Sequence, residues 1–215
     1  MSSIKLKHSS GNSMSIEAPA TNPASDLALK LPATVGTAGQ YLRNSSTAGT
    51  LEFGSPALTV VDKWRLNSSI TGSTIGDPIS SNWERVDTAN PSQGMPIGTG
   101  MSESSGIFTF PSTGIWWVIF KADAVRNGHA RWVEGVIKTT NDNGSNWDNR
   151  AFGYVNVYDS GNNTWGSLQT DTTIDITNTS NDKVSIKVTA SDSVQMYGSS
   201  SDDNTTLMFI RLGDT

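Results

Sequence analysis

Gly106-Ile-Phe-Thr-Phe-Pro-Ser-Thr-Gly-Ile-Trp-Trp-Val-Ile-Phe120 decides the fold. Apolar and β-favouring residues fill both halves of this stretch, which is what a pleated, half-buried surface selects. Between the halves, Pro111 and Gly114 are corner residues: proline presets its backbone angle and glycine permits conformations closed to other residues. The stretch therefore reads as two strands joined by a tight corner. Phe108, Trp116 and their neighbours carry large rings toward a core.

Working outward, strand-like runs recur at Leu58–Leu66, Ile107–Phe110, Ile115–Val125, Arg131–Thr140, Phe152–Tyr158, Thr172–Ile176, Val184–Val188, Val194–Tyr197 and Thr206–Leu212. Val184-Ser-Ile-Lys-Val188 and Leu207-Met-Phe-Ile-Arg-Leu212 alternate with the period of two that a strand imposes. Turn-forming clusters separate the runs, at 126–128, 141–146, 159–163 and 198–204. Many short strands with regular turns predict an all-β sandwich, jelly roll or barrel. No helical period is present.

Composition agrees. The 215 residues include 30 Ser, 24 Thr, 17 Asn and 20 Gly, a bias that excludes a coiled coil or helical bundle. A net charge of −5, thinly spread, argues against nucleic acid, which needs a basic stripe. With no Cys there is neither a disulfide framework nor a thiolate metal site. No run approaches the roughly 18 apolar residues of a membrane helix, and Met1–His8 has no apolar signal-like centre, so synthesis without conventional export is expected.

The chain divides at about residue 56. All seven Trp lie in 57–215, a length that supports its own core. Residues 1–56 carry short apolar pairs at spacing two, Ile4/Leu6, Met14/Ile16, Leu27/Leu29/Leu31 and Leu51/Phe53, between Pro and Gly breakers. Such short faces make no core within one copy. An extended, β-rich N-terminal arm that covers its Leu residues against another copy or another protein is expected.

The stretch from Gly106 resembles the signature of the C1q/TNF jelly roll, Gly-x-Phe-Thr-x-Pro-x-x-Gly-x-Tyr, on Gly106, Phe108, Thr109, Pro111 and Gly114, with Trp116 in the Tyr position. The resemblance spans roughly Leu58 to Leu212. It implies a C1q/TNF-like jelly-roll β-sandwich with an apolar last strand, Thr205–Leu212, at a trimer axis. Leu207 and Phe209 are the trimer-interface candidates that follow. No collagen-like stalk precedes it, which sets the chain apart from complement-type animal proteins. The phrase Leu31–Gly54, with its Leu-Pro, Gly-Gln-Tyr-Leu and Leu-Glu-Phe, resembles phage fibre proteins, and Ile4–Ile16 with Ala18–Pro23 resembles the start of structural proteins of marine and cyanobacterial phages. Together they imply a virion component assembled in the host cytoplasm. It would trimerise through 57–215 and dock on other virion proteins through 1–56.

Catalytic chemistry is sparse. His8 and His129 are the only neutral-pH bases, and no Ser sits in a nucleophile-elbow context. Asp142, Asp148, Asp159, Asp202 and Asp203 read as turn residues rather than a glycosidase pair. The loop Asp142-Asn-Gly-Ser-Asn-Trp-Asp148 has the Asp/Asn spacing of calcium loops, without the Glu that closes an EF-hand at its twelfth position. It is expected to be a bare hairpin. No catalytic residue, cofactor or metal is expected. Trp147 and Trp165, in polar loops, are candidate contacts for a host-surface glycan, since a ring face and neighbouring amides suit a sugar. Two functions stand side by side: a phage fibre or capsid-decoration protein, and a free C1q-like lectin of bacterial origin. The N-terminal phrases discriminate them, because a free lectin has no use for a docking arm.

Overall fold

The structure, a computed structural model, describes residues 3–7, 10–11, 13–17, 21, 28–54, 58–86 and 96–215. Chain contacts divide it into two compact units, Met1–Pro56 and Ala57–Thr215. No helix occurs among the described residues.

The first unit holds two antiparallel hairpins. β1 (Ser3–Lys7) pairs with β2 (Ser13–Glu17), and β3 (Tyr41–Asn44) pairs with β4 (Leu51–Gly54). Between them Lys30 bridges to Thr50 in parallel. Leu29, Leu31 and Val35 stay exposed, Val35 at 93%. Leu27 lies outside the described residues.

The second unit is one hydrogen-bonded sheet of nine strands folded on itself into a jelly roll. Its strands are β5 (Val61–Leu66), β6 (Ser68–Gly76), β7 (Trp83–Arg85), β8 (Ser102–Ser104), β9 (Ile107–Thr109), β10 (Gly114–Thr140), β11 (Asp148–Ile176), β12 (Lys183–Ser199) and β13 (Thr206–Gly213). Both layers come from the long hairpin β10–β11. The first half of β10 pairs with β13 and with the second half of β11. Its second half, from Val133, pairs with β12 and with the first half of β11. The order is β7-β5-β13-β10-β11 in one layer and β11-β10-β12-β9-β8 in the other, with β6 beside β12. Register shifts at Arg126/Gly128 and Ala130/Val133 take the chain from one layer to the next. A β-bulge bends its strand and sharpens the local twist, which suits such a crossing.

Alternation decides what is buried. On β10, Trp116, Val118, Phe120, Ala122 and Ala124 are fully enclosed, while Ile115, Trp117 and Ile119 point away. Phe108 is the hub of the rings, with Trp64 and Trp83 edge-on at 5.5 Å each and Phe209 at 5.3 Å. Each Phe so buried contributes about 1.5–3 kcal/mol. At the corner, Trp116 Nε1 donates to the Ser112 carbonyl at 3.2 Å. The two glycines of the opening motif are demanded by space as well as by angle. Gly106 (φ +80°) lies against the Ile79 carbonyl and Gly114 (φ +130°) against the Gly213 carbonyl, leaving no room for a Cβ.

Among the described residues one charge is fully enclosed. The Asp62 carboxylate accepts from Met101 N at 2.7 Å, Trp64 Nε1 at 3.0 Å and Arg85 Nε at 3.1 Å. Arg85 also lies over the Trp64 ring, 4.7 Å from its centroid. Three donors on one buried carboxylate tie β5, β7 and the chain before β8 together, the satisfied arrangement that a buried ion requires.

The strand directions define two ends. Leu58, the corner at 111–113, the 141–147 turn and the 177–182 turn share the base, where Arg211 N bonds the Val60 carbonyl and Asn143 N bonds the Asn181 carbonyl. The crossing at 126–132, the 159–163 turn and the 200–205 turn share the opposite end, the crown.

Candidate functional site

β13 turns its side chains alternately in and out. Leu207 and Phe209 point inward and are fully enclosed within a single subunit. The sequence reading places them at a seam between copies, but enclosed within one subunit they have no surface to give to one; the outward set on this strand is offset by one residue. Met208, Ile210 and Leu212 occupy that face, Leu212 at 44% exposure. Register aligns Ile210 with Trp117 on β10 and Val61 on β5, and Met208 with Ile119 and Lys63. Val61, Met208, Ile210, Ile115, Trp117 and Ile119 thus form an apolar stripe on the outer face of the first layer, toward the base. Trp117 fixes its ring by donating from Nε1 to Asp171 Oδ2 at 2.9 Å. A sheet face of this kind is ordinarily covered by another layer.

A second apolar patch lies on the first half of β11, which among the described residues pairs only with β10 and so forms an edge. Phe152 and Tyr154 stack in parallel with ring centroids 6.3 Å apart, and Tyr158 stands 76% exposed. Tyr154 donates its hydroxyl proton to Glu134 Oε2 at 2.8 Å. That hydrogen bond, with burial and the Glu134 charge adding to it, holds its pKa above the ordinary phenol value.

Trp147 and Trp165 do not come together. Trp147 sits in the base turn after Thr140, whereas Trp165 pairs with Val125 at the crown. The Val133–Thr140 run alone separates the two ends by about 23 Å. Trp147 is half-buried, lying 3.7 Å from where a Cβ on Gly144 would fall. Trp165 is 56% exposed and meets Tyr197 edge-on at 5.0 Å.

The base turn closes on itself. Asp142 Oδ1 accepts from Thr140 Oγ1 at 2.6 Å and Asn146 N at 2.9 Å, and Oδ2 accepts from Asn146 Nδ2 at 2.6 Å. These bonds, Thr140 first, hold Asp142 at a pKa of about 2. Both carboxylate oxygens are thus engaged by neighbours within the turn itself. A polar cleft of about 360 Å³ beside it includes Thr139, Arg150, Asp182 and Lys183. Arg150 Nε donates to Thr139 Oγ1 at 2.8 Å and Asp182 accepts two backbone amides at 2.8 Å, so these groups serve the loops.

No constellation for catalysis assembles among the described residues. His8 lies outside them, and the His129 ring packs 4.4 Å from Tyr158. Asp148 pairs with Arg150, Asp202 accepts from Ser199 Oγ and Asp203 pairs with Lys63. Asp159 is a ladder partner of Gly128. No group of three metal-ligating side chains is present among the described residues.

Sequence reading did not find the outer-face stripe, although Met208-Phe-Ile210 alternation held the signal, because alternation states a period and not which phase faces in. It also passed over the crown residues Thr71, Asn127, Asn163 and Gln195, whose types read as turns and polar strand.

No protein-family model matches the chain, and no curated protein matches it in sequence. Among solved structures it is similar to Eiger TNF from S. frugiperda, at 13% identity and a TM-score of 0.56, covering 74% of this chain and 96% of that one. Murine APRIL at pH 5.0 matches at 13% identity and a TM-score of 0.48, covering 71% and 98%. The first likeness shows the fold, a TNF-type jelly roll.

Proposed function

We propose that this chain is a phage virion protein, a fibre or capsid-decoration component, in which residues 57–215 trimerise, residues 1–56 dock on other virion proteins, and the crown contributes to adsorption on the host surface. The observation that carries it is the pair of unlike apolar patches on one sandwich: the outer-face stripe around Ile210 and Trp117, and the aromatic edge at Phe152 and Tyr154. Unlike patches on one subunit meet head to tail, and such contacts close into a ring when the rotation permits. The C1q/TNF resemblance supports three copies. Exposed Leu29, Leu31 and Val35 support a first unit that gains its cover from a partner. Its resemblance to phage structural proteins supports other virion proteins as that partner.

The function is one of assembly and binding rather than catalysis. The test is light scattering on the full chain, together with immunolabelling of purified virions. A trimer in solution and labelled particles are expected, with deletion of residues 1–56 leaving a soluble trimer that no longer joins them. A compact monomer would refute the assembly. A trimer absent from virions would refute the docking and leave a free lectin.

A further inference from the structure

We propose that the crown carries a binding site for a neutral saccharide, with Trp165 as its platform and Thr71, Asn127, Asn163 and Gln195 as its hydrogen-bonding groups. This deepens the adsorption reading and takes its biological meaning from it, but the site lies within one subunit.

The register builds it. Trp165 pairs with Val125, Val125 with Gln195, and Gln195 with Thr71, so four neighbouring strands send these side chains to one face in a single row. A cleft of about 410 Å³ is lined by Thr71, Val125 and Gln195 of that row together with Asn127, Asn163 and Arg126, and Trp165, the ladder partner of Val125, stands beside it. Its size falls within the roughly 300–1,000 Å³ of small-molecule sites. Val125, 6% exposed, makes the floor apolar. Asn163 precedes Trp165 by two residues on the same strand and so shares its side.

The chemistry selects the ligand. A pyranose presents a face of C–H groups and a rim of hydroxyls. Trp165 stays 56% exposed even after its contact with Tyr197, which leaves a ring face free for the C–H side. An amide offers donor and acceptor together, matching hydroxyls that both give and take a proton. Among the described residues no carboxylate lines the cleft. Its one cation is already engaged, since Arg126 donates to the Ser193 carbonyl and lies 3.8 Å from Asp192. That pairing removes the free positive charge that would select an acidic sugar. The crown also lies at the opposite end from Leu58 and about 26 Å along β10 from Trp117, clear of the outer-face stripe.

The experiment is calorimetry and tryptophan fluorescence on the full chain with maltotriose, cellotriose, mannotriose and N-acetylchitotriose, and with sialyllactose as the acidic comparison. Saturable binding of at least one neutral sugar is expected, one per chain, with a fluorescence change. Trp165→Ala and Gln195→Ala should each weaken it about tenfold or more, with circular dichroism unchanged. Trp147→Ala, at the base, should leave it intact. If Trp165→Ala fails to fold, Gln195→Ala and Asn163→Ala decide the matter. Absence of saturable binding to all four neutral sugars, unchanged affinity in the crown variants, or preference for sialyllactose would overturn the proposal. Light scattering on the same samples separates the two readings: a trimer without sugar binding sinks only this site, and a sugar-binding monomer sinks only the assembly.

Discussion

Replacing Ile210 by Asp tests the assembly where it is most exposed to failure. Ile210 sits midway across the outer-face stripe, paired with Trp117 on one side and Val61 on the other, and is only half-buried in a single subunit. Within that subunit a carboxylate there still reaches water, so the fold should lose no more than about 1 kcal/mol. Because Ile210 is already half-buried, in a trimer that covers the stripe each copy forfeits about 1 kcal/mol of further Ile burial. Three copies change together, giving about 3 kcal/mol, and at 1.4 kcal/mol per factor of ten the assembly constant falls roughly 10²-fold. Any penalty for desolvating the three carboxylates adds to this. Phe209→Asp is the contrasting neighbour: it removes a ring enclosed against Phe108 and Phe110 and inserts an unpaired charge. The cost of several kcal/mol is a large part of the 5–15 kcal/mol that holds an ordinary domain, so unfolding is expected rather than clean dissociation. The assay is size-exclusion chromatography with light scattering at micromolar protein, with circular dichroism and thermal melts alongside. Folded Ile210→Asp monomers beside unfolded Phe209→Asp are the expected pair. An Ile210→Asp protein that remains trimeric on dilution refutes the assignment of this face.

Three further outcomes follow from local geometry. Asp62→Ala strips three donors of their shared acceptor; a loss of about 3–5 kcal/mol is expected, read as a thermal midpoint lower by about 10 °C, and an unchanged midpoint would show the cluster to be incidental. Gly106→Ala forces a Cβ against the Ile79 carbonyl at φ +80°, which should cost about 1–3 kcal/mol in chemical denaturation; a neutral result would contradict the steric account of the motif's first glycine. Asp142, held at about 2 against an ordinary 3.8, contributes stability that is fully present above 3.8 and is lost as pH falls through about 2. Carboxyl NMR should place its titration near 2, move it upward in Thr140→Val, and show no displacement on adding calcium. A titration near 4 would mean that the turn does not close as described.

How far the sequence carried the fold can be argued strand by strand. Elements dense in branched and aromatic residues were legible, because burial and pleating select the same side chains: Ile107–Phe110 matches β9 and Thr206–Leu212 matches β13 within a residue or so. The polar β6, Ser68–Gly76, and the three-residue β7 and β8 were not, since each derives its strand character from a partner rather than from its own composition. The runs expected at Ile115–Val125 and Arg131–Thr140 are one strand, Gly114–Thr140. Arg126-Asn-Gly128 has turn chemistry, but here the same backbone freedom serves a bulge at which the strand changes layers.

The binding surfaces were harder to read, for a related reason. Period two divides β13 into Leu207 and Phe209 on one face and Met208, Ile210 and Leu212 on the other, and both sets are apolar. When one face of a strand is polar, the phase is given by composition; when both are greasy, it is set only by which neighbours lie beneath. Phe108 and Phe110 make that choice here, through ring contacts with Phe209 across about a hundred residues of chain. The same ambiguity is itself informative. A strand apolar on both faces is what a buried central layer requires, and β13 is central in its sheet with only one face covered by its own sandwich. The uncovered set, Met208, Ile210 and Leu212, is therefore the part of the strand that the proposed trimer would cover.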